Sequence, residues 1–116
     1  MPTRKLGRGR TIRSRRALEL TIKTGEVVRT PYFRMRYLAG AGPPAVAFLA
    51  GRDVGGAVER NRAKRVLREA FRLSGESLLG IETLVFMARD RAGAADTSDL
   101  RRTVETALRR ASDTVS

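Results

Sequence analysis

The chain has 116 residues, 41% of them hydrophobic, and its 24 Lys and Arg against 12 Asp and Glu leave a net charge of +12. That length holds one modest core, and the apolar content is that of a globular chain, so neither a two-domain protein nor a disordered basic tail fits. Cys and His are both absent, which excludes disulfides, thiolate zinc sites, Cys nucleophiles and the commonest general base. So large a positive excess calls for a polyanionic partner, and nucleic acid leads because Lys and Arg contacts to phosphates release counterions. An anionic membrane ranks behind it: no apolar run reaches spanning length, and no segment sets large apolar anchors against a Lys/Arg face. The Arg-rich N-terminus lacks the apolar stretch of a secretory signal, so the cytoplasm is the expected compartment.

In chain order, residues 1–13, MPTRKLGRGRTIR, are expected to form a basic flexible arm, with residues 14–116 as a single domain. Ser14 can cap a short helix over Arg15–Thr24 that Gly25 stops, with Leu18 and Ile22 on one face. Residues 27–38 read as strand; in Phe33-Arg34-Met35-Arg36-Tyr37 the alternation is strict, which predicts an apolar side facing inward and a basic side facing out. After the Gly40–Pro44 turn, Ala45–Ala50 is apolar on both sides, as in a central strand. A loop over Gly51–Gly56 leads to a helix from Ala57 to about Leu73, with an apolar stripe of Ala63, Val66, Leu67, Ala70 and Phe71. A connector, Ser74–Gly80, precedes a fourth strand over Ile81–Arg89. A last helix, capped from Asp96–Ser98, runs to about Ala111 with Leu100, Val104, Ala107, Leu108 and Ala111 as its stripe. The order α-β-β-β-α-β-α predicts an α+β sandwich, helices packed on a mainly antiparallel four-stranded sheet.

The informative stretch is Gly51–Arg72, GRDVGGAVERNRAKRVLREAFR. On a helical wheel Asn61, Arg62, Lys64, Arg65, Arg68 and Arg72 fall on one arc opposite the apolar stripe, with Arg60 at the border. Ordinary solvated helix faces mix signs at i,i+4, whereas Arg60–Lys64–Arg68–Arg72 is a like-charge ladder, destabilising by a few tenths of a kcal/mol per pair unless an anion neutralises it. The glycines at 51, 55 and 56 precede a helix N-terminus, but their spacing matches neither a dinucleotide fingerprint nor a P-loop, and a tight strand-to-helix turn explains them equally well. The acidic residues are scattered among arginines and suggest neither a catalytic pair nor a metal cage.

AVERNRAKRVLREAF resembles the signature helix of the bacterial ribonuclease P protein subunit, whose R-N-R-x-K-R pattern Arg60, Asn61, Arg62, Lys64 and Arg65 match. The resemblance covers nearly the whole chain. It implies a four-stranded sheet with a left-handed β-α-β crossover around the signature helix, against the usual right-handed rule. It further implies a protein subunit of an endoribonuclease whose catalytic centre lies in its RNA partner. That RNA, assisted by Mg²⁺ bound mainly by the RNA and not tightly by the protein alone, removes the 5′ leader of precursor tRNA. The implied partners are the catalytic ribonuclease P RNA and precursor tRNA, with no membrane and no protein partner required. The RNA-binding residues become Arg52, Arg60, Asn61, Arg62, Lys64, Arg65, Arg68 and Arg72. The leader cleft, between the first helix and an open sheet face, takes Leu18, Ile22 and Arg36, with Arg34 pointing the same way by strand alternation. The chain departs from many relatives at Arg52 and Asp53, where two lysines are usual, at Gly56, often Asn, and at Leu18, Ile22 and Arg36, commonly aromatic. A charge-dominated cleft follows. Two other classes compete on composition: a structural RNA-binding protein of ribosomal type with no processing role, and a duplex DNA binder, which lacks support from any helix-turn-helix spacing.

Overall fold

The computed structural model describes residues 11–41, 43–74, 78 and 80–115. Most of the expected basic arm, residues 1–10, and most of the expected connector before the fourth strand lie outside the described residues. In chain order the elements are α1 (Arg15–Thr24), β1 (Glu26–Arg29), β2 (Phe33–Ala39), β3 (Ala45–Ala50), α2 (Ala57–Ser74), β4 (Ile81–Ala88) and α3 (Thr97–Val115). Short 3-10 turns at Arg52–Val54 and Ala92–Ala94 precede α2 and α3. The α+β class and the element order match the expectation.

Local chemistry sets the boundaries. The Ser14 hydroxyl accepts from the Ala17 N–H at 3.1 Å, which caps α1. At its end, the Gly25 N–H donates to the Thr21 carbonyl, and a Cβ at Gly25 would stand 2.5 Å from that oxygen and 2.8 Å from the Tyr37 carbonyl, so only glycine lets the chain turn this close to β2. The stretch read as strand over residues 27–38 holds β1, a turn and β2, the two strands that the predicted order needs before β3. The Thr30 hydroxyl donates to the Phe33 carbonyl at 2.8 Å and accepts from the Tyr32 and Phe33 amides, and Pro31 sits inside the reversal. Helix α3 continues one turn past Ala111 because Val115 prolongs the apolar stripe and packs against the core.

The sheet order is β1-β2-β4-β3, antiparallel except for the β3–β4 pair. Parallel neighbours need a crossover, and α2 supplies it. The expectation that Ala45–Ala50 is a central strand is corrected: β3 is an edge, and β2 and β4 are central. On one of its faces Phe48 packs against Phe71 of α2, and on the other Ala45, Ala47 and Leu49 are half-buried. The outer edge of β3 is met by the chain N-terminal to α1, where Thr11 bridges to Val46 and the Ile12 N–H donates to the Val46 carbonyl at 3.1 Å.

One sheet face carries Phe33, Met35 and Tyr37 of β2 in register with Ala88, Phe86 and Leu84 of β4, and all six are buried. Against it lie Ala63, Leu67, Ala70 and Phe71 of α2 and the predicted stripe of α3, each buried as expected. Phe86 is the hinge of this core, with its ring 5.3 Å from Phe33, 5.3 Å from Phe48 and 5.7 Å from Phe71. The opposite face carries Arg34 and Arg36, as alternation predicts, and among the described residues α1 is the helix that crosses it.

The tether of α1 is a buried pair of hydroxyls, Thr21 Oγ1 and Thr83 Oγ1, 2.6 Å apart. The single hydroxyl hydrogen of Thr21 goes to the Ala17 carbonyl at 2.7 Å, so Thr83 is the donor between them. Thr21→Val therefore strands a buried donor and is expected to cost about 1–3 kcal/mol, whereas adding Thr83→Val removes both polar groups and restores part of the loss. Urea denaturation of the two single mutants and the double mutant measures the coupling; strictly additive losses would contradict the assignment.

Candidate nucleic-acid interface

The turn into α2 holds the site in place. Gly55 has φ 132°, a conformation L side chains rarely adopt, and its N–H donates to the Arg52 carbonyl at 3.1 Å. Arg60 reaches back from the first turn of α2, its Nη1 donating to the Gly55 carbonyl at 3.3 Å. This half-buried guanidinium braces the turn.

Further along α2, Asn61, Arg62, Lys64, Arg65 and Arg68 line one shallow, open depression of about 560 Å³ together with Val58. Among the described residues, the side chains of Asn61, Arg62, Lys64 and Arg65 make no hydrogen bond or ion pair. Arg68 is perched on the core, its Cζ 5.3 Å from the centroid of the Phe48 ring. Arg72 forms an exposed ion pair with Glu69 one turn back, and the hydrogen bond to that carboxylate, then its charge, raise the Arg72 pKa above its ordinary value.

Three of the ladder's four cations have a contact within the protein, and only Arg72 meets an opposite charge among the described residues. Arg60 has a carbonyl, Arg68 a ring and Arg72 a carboxylate. On α2 the cations with no partner among the described residues are Arg62, Lys64 and Arg65, joined by the amide of Asn61. Arg52 is exposed on the 3-10 turn ahead of α2 and does not line the depression.

The four residues expected to line the leader cleft lie on α1 and on the α1 side of β2. Leu18 and Ile22 are half-buried on α1, on either side of the Thr21 anchor; Arg34 is exposed and Arg36 half-buried on β2. Arg36 pairs with Val85, and Arg34 with Met87, so apolar β4 side chains flank both guanidiniums.

Two residues of interest escaped the sequence reading. Val58 is 76% exposed and lines the cationic depression. Its place three and four residues before Asn61 and Arg62 puts it on their arc, a signal the sequence holds. Arg29 lies directly opposite Arg34 in the β1–β2 ladder. Its signal appears only with the register, which the turn at Thr30–Tyr32 sets. Among the described residues, no three carboxylates gather as metal ligands, and no helix is long and apolar enough to cross a membrane.

A family model described as Ribonuclease P matches residues 6–112. The chain belongs to the ribonuclease P protein family. Curated relatives agree: a ribonuclease P protein component of Xanthomonas campestris pv. campestris (strain B100) is 32% identical over 111 residues, 95% of this chain and 74% of that protein. One from Dehalococcoides mccartyi (strain CBDB1) is 44% identical over 66 residues, 57% of this chain. That match spans about half the relative's length, 53%. Among solved structures, the RNase P protein from Thermotoga maritima superposes with TM-score 0.73 at 26% identity, covering 86% of this chain and 96% of that one. A Staphylococcus aureus RNase P protein, at 22% identity, TM-score 0.73 and 88% and 94% coverage, shares the fold.

Proposed function

We propose that this chain is the protein subunit of a cytoplasmic ribonuclease P, in which it binds the catalytic RNA through α2 and the 5′ leader of precursor tRNA through the α1 face of the sheet. The single observation that carries the reading is the depression on α2. Three cations and an amide without internal partners, on the signature helix of a ribonuclease P protein, form a surface made for phosphates. Residues 14–116 act as one RNA-binding domain, and the chain supplies charge and position while the RNA supplies the reacting centre. Mg²⁺ serves the hydrolysis from the RNA side. The carboxylates of the described residues do not assemble a cage for the ion, so no step is assigned to a metal on this protein.

Aromatic stacking grips single strands by about 1–3 kcal/mol per base, and α1 offers Leu18 and Ile22 in place of rings. Charge carries the grip instead, with the guanidinium planes of Arg34 and Arg36 partly replacing ring faces. Arg34→Ala with Arg36→Ala is therefore expected to reduce the affinity advantage of a several-nucleotide leader over a one-nucleotide leader more than Leu18→Ala does. It should also lower the salt slope of leader binding by about 0.7 per lost contact. The check is precursor tRNA affinity of the reconstituted holoenzyme across a salt series; an undiminished long-leader advantage in the arginine double mutant would sink the cleft.

A further inference from the structure

A second cationic concavity lies away from α2, where α3 passes the edge strand β1. It encloses about 310 Å³, and its walls include Val28, Arg29 and Thr30 from β1 and its turn and Arg102, Thr106 and Arg110 from α3. We propose that this groove is a second binding site for single-stranded RNA phosphates, and that it takes the distal part of the leader as the strand passes over the β1 edge from the cleft face. The proposal rests on the leader reading above.

Three observations support it. First, Arg29 and Arg110 have no ion pair or side-chain hydrogen bond among the described residues. Both also border a neighbouring depression that contains Glu26 and Asp113, yet neither carboxylate comes within ion-pair distance of either guanidinium. Among the described residues the Thr106 hydroxyl also has no partner, and Arg102 is held by an exposed 3.4 Å contact to Asp99. Two arginines and a threonine, from two elements that line the same groove, carry the donor types that phosphate oxygens accept from.

Second, Arg29 and Arg34 are direct cross-strand partners. Side chains so placed have Cβ atoms about 4.5–5.5 Å apart, and like charges there destabilise the sheet. A phosphate bridging the pair relieves the repulsion. Third, the cations form a continuous track. Arg36 and Arg34 lie on the open face of β2, Arg29 stands beside them on the edge strand, and Arg110 and Arg102 continue it on α3. Adjacent strands are about 4.8 Å apart, so the step from β2 to β1 is shorter than one extended nucleotide.

The test uses holoenzyme reconstituted with a bacterial ribonuclease P RNA and precursor tRNAs with leaders of one nucleotide, of cleft-filling length, and of several nucleotides more. Arg29→Ala with Arg110→Ala is expected to weaken binding of the longest leader by roughly 10- to 30-fold at about 0.1 M salt and lower its salt slope by about 1.4, two single-strand phosphate contacts. The one-nucleotide substrate should move less than twofold, and Arg29→Lys with Arg110→Lys should recover most of the slope. An unchanged longest leader, or an equal loss at every leader length, overturns the groove. Failure of the leader reading has its own signature, a long-leader advantage that survives Arg34→Ala with Arg36→Ala.

Discussion

Replacing Arg62, Lys64 and Arg65 together by Ala is expected to weaken binding to a bacterial ribonuclease P RNA by about two orders of magnitude at about 0.1 M salt, with the gap closing as salt rises. Each phosphate contact contributes about 0.7–0.9 to the slope of log K against log salt, so three lost contacts lower it by about 2 to 3. The fold should survive, because none of the three side chains has a hydrogen bond or ion pair within the described residues and none belongs to the core. Arg60→Ala provides the contrast. One of its N–H donors is held by the Gly55 carbonyl, which fixes its position in the turn, so its loss should loosen the turn and lower Tm while changing the salt slope less than any one of the three. Filter binding across a salt series, with thermal melts alongside, measures both. A triple mutant of unaltered affinity and slope would reduce the depression to an ordinary solvated face.

The second large effect falls on stability. Phe86→Ala is expected to cost about 3–5 kcal/mol, since the ring is fully buried and its neighbours Phe33, Phe48 and Phe71 are held on β2, β3 and α2 and cannot collapse into the space. Over 116 residues that is roughly 10–20 °C in Tm. The consequence reaches the interface. Phe86 stacks on Phe48 with the planes 12° apart, and Phe48 is the ring under Arg68. Removing Phe86 unseats the perch of one basic side chain, so the folded fraction of the mutant should bind RNA more weakly than wild type. Calorimetry gives the first number. A loss below about 1 kcal/mol would show that the four-ring cluster is not the centre of the core.

Much of the fold was legible in the sequence because its signals are local. Ser14 and Gly25 bound α1, the alternation from Phe33 to Tyr37 assigns faces correctly, and the stripes of α2 and α3 pick out the buried residues except Val66, which is only half-buried. The misreadings concern what no local signal carries. An apolar run such as Ala45–Ala50 looks the same in a central strand and in an edge strand covered by another segment, here Thr11 and Ile12. The split of residues 27–38 depended on Thr30 using its hydroxyl for the turn, and that split fixes the register placing Arg29 against Arg34. At the interface, the wheel groups the basic residues of α2 on one arc, but it cannot tell cations with a partner inside the protein from those without one. Whether Arg72 meets Glu69, Arg68 meets Phe48 or Arg60 meets Gly55 is decided by rotamers and by an adjoining strand. The residues left unpartnered, Arg62, Lys64 and Arg65 with Asn61, lie at the centre of the R-N-R-x-K-R pattern that carries the family resemblance.

The central claim, a protein that serves a catalytic RNA and performs no cleavage alone, is tested most directly by reconstitution. Purified chain, a bacterial ribonuclease P RNA and a precursor tRNA are combined over a Mg²⁺ series, and release of the 5′ leader is followed in the presence and absence of each macromolecule. The expected result is no cleavage by the protein alone, cleavage by the RNA at high Mg²⁺, and cleavage at the same site at clearly lower Mg²⁺ when the protein is added, because its cations take over part of the neutralisation that Mg²⁺ otherwise supplies. Site-specific cleavage by the protein free of RNA, or a Mg²⁺ requirement that the protein leaves unmoved, would contradict the account.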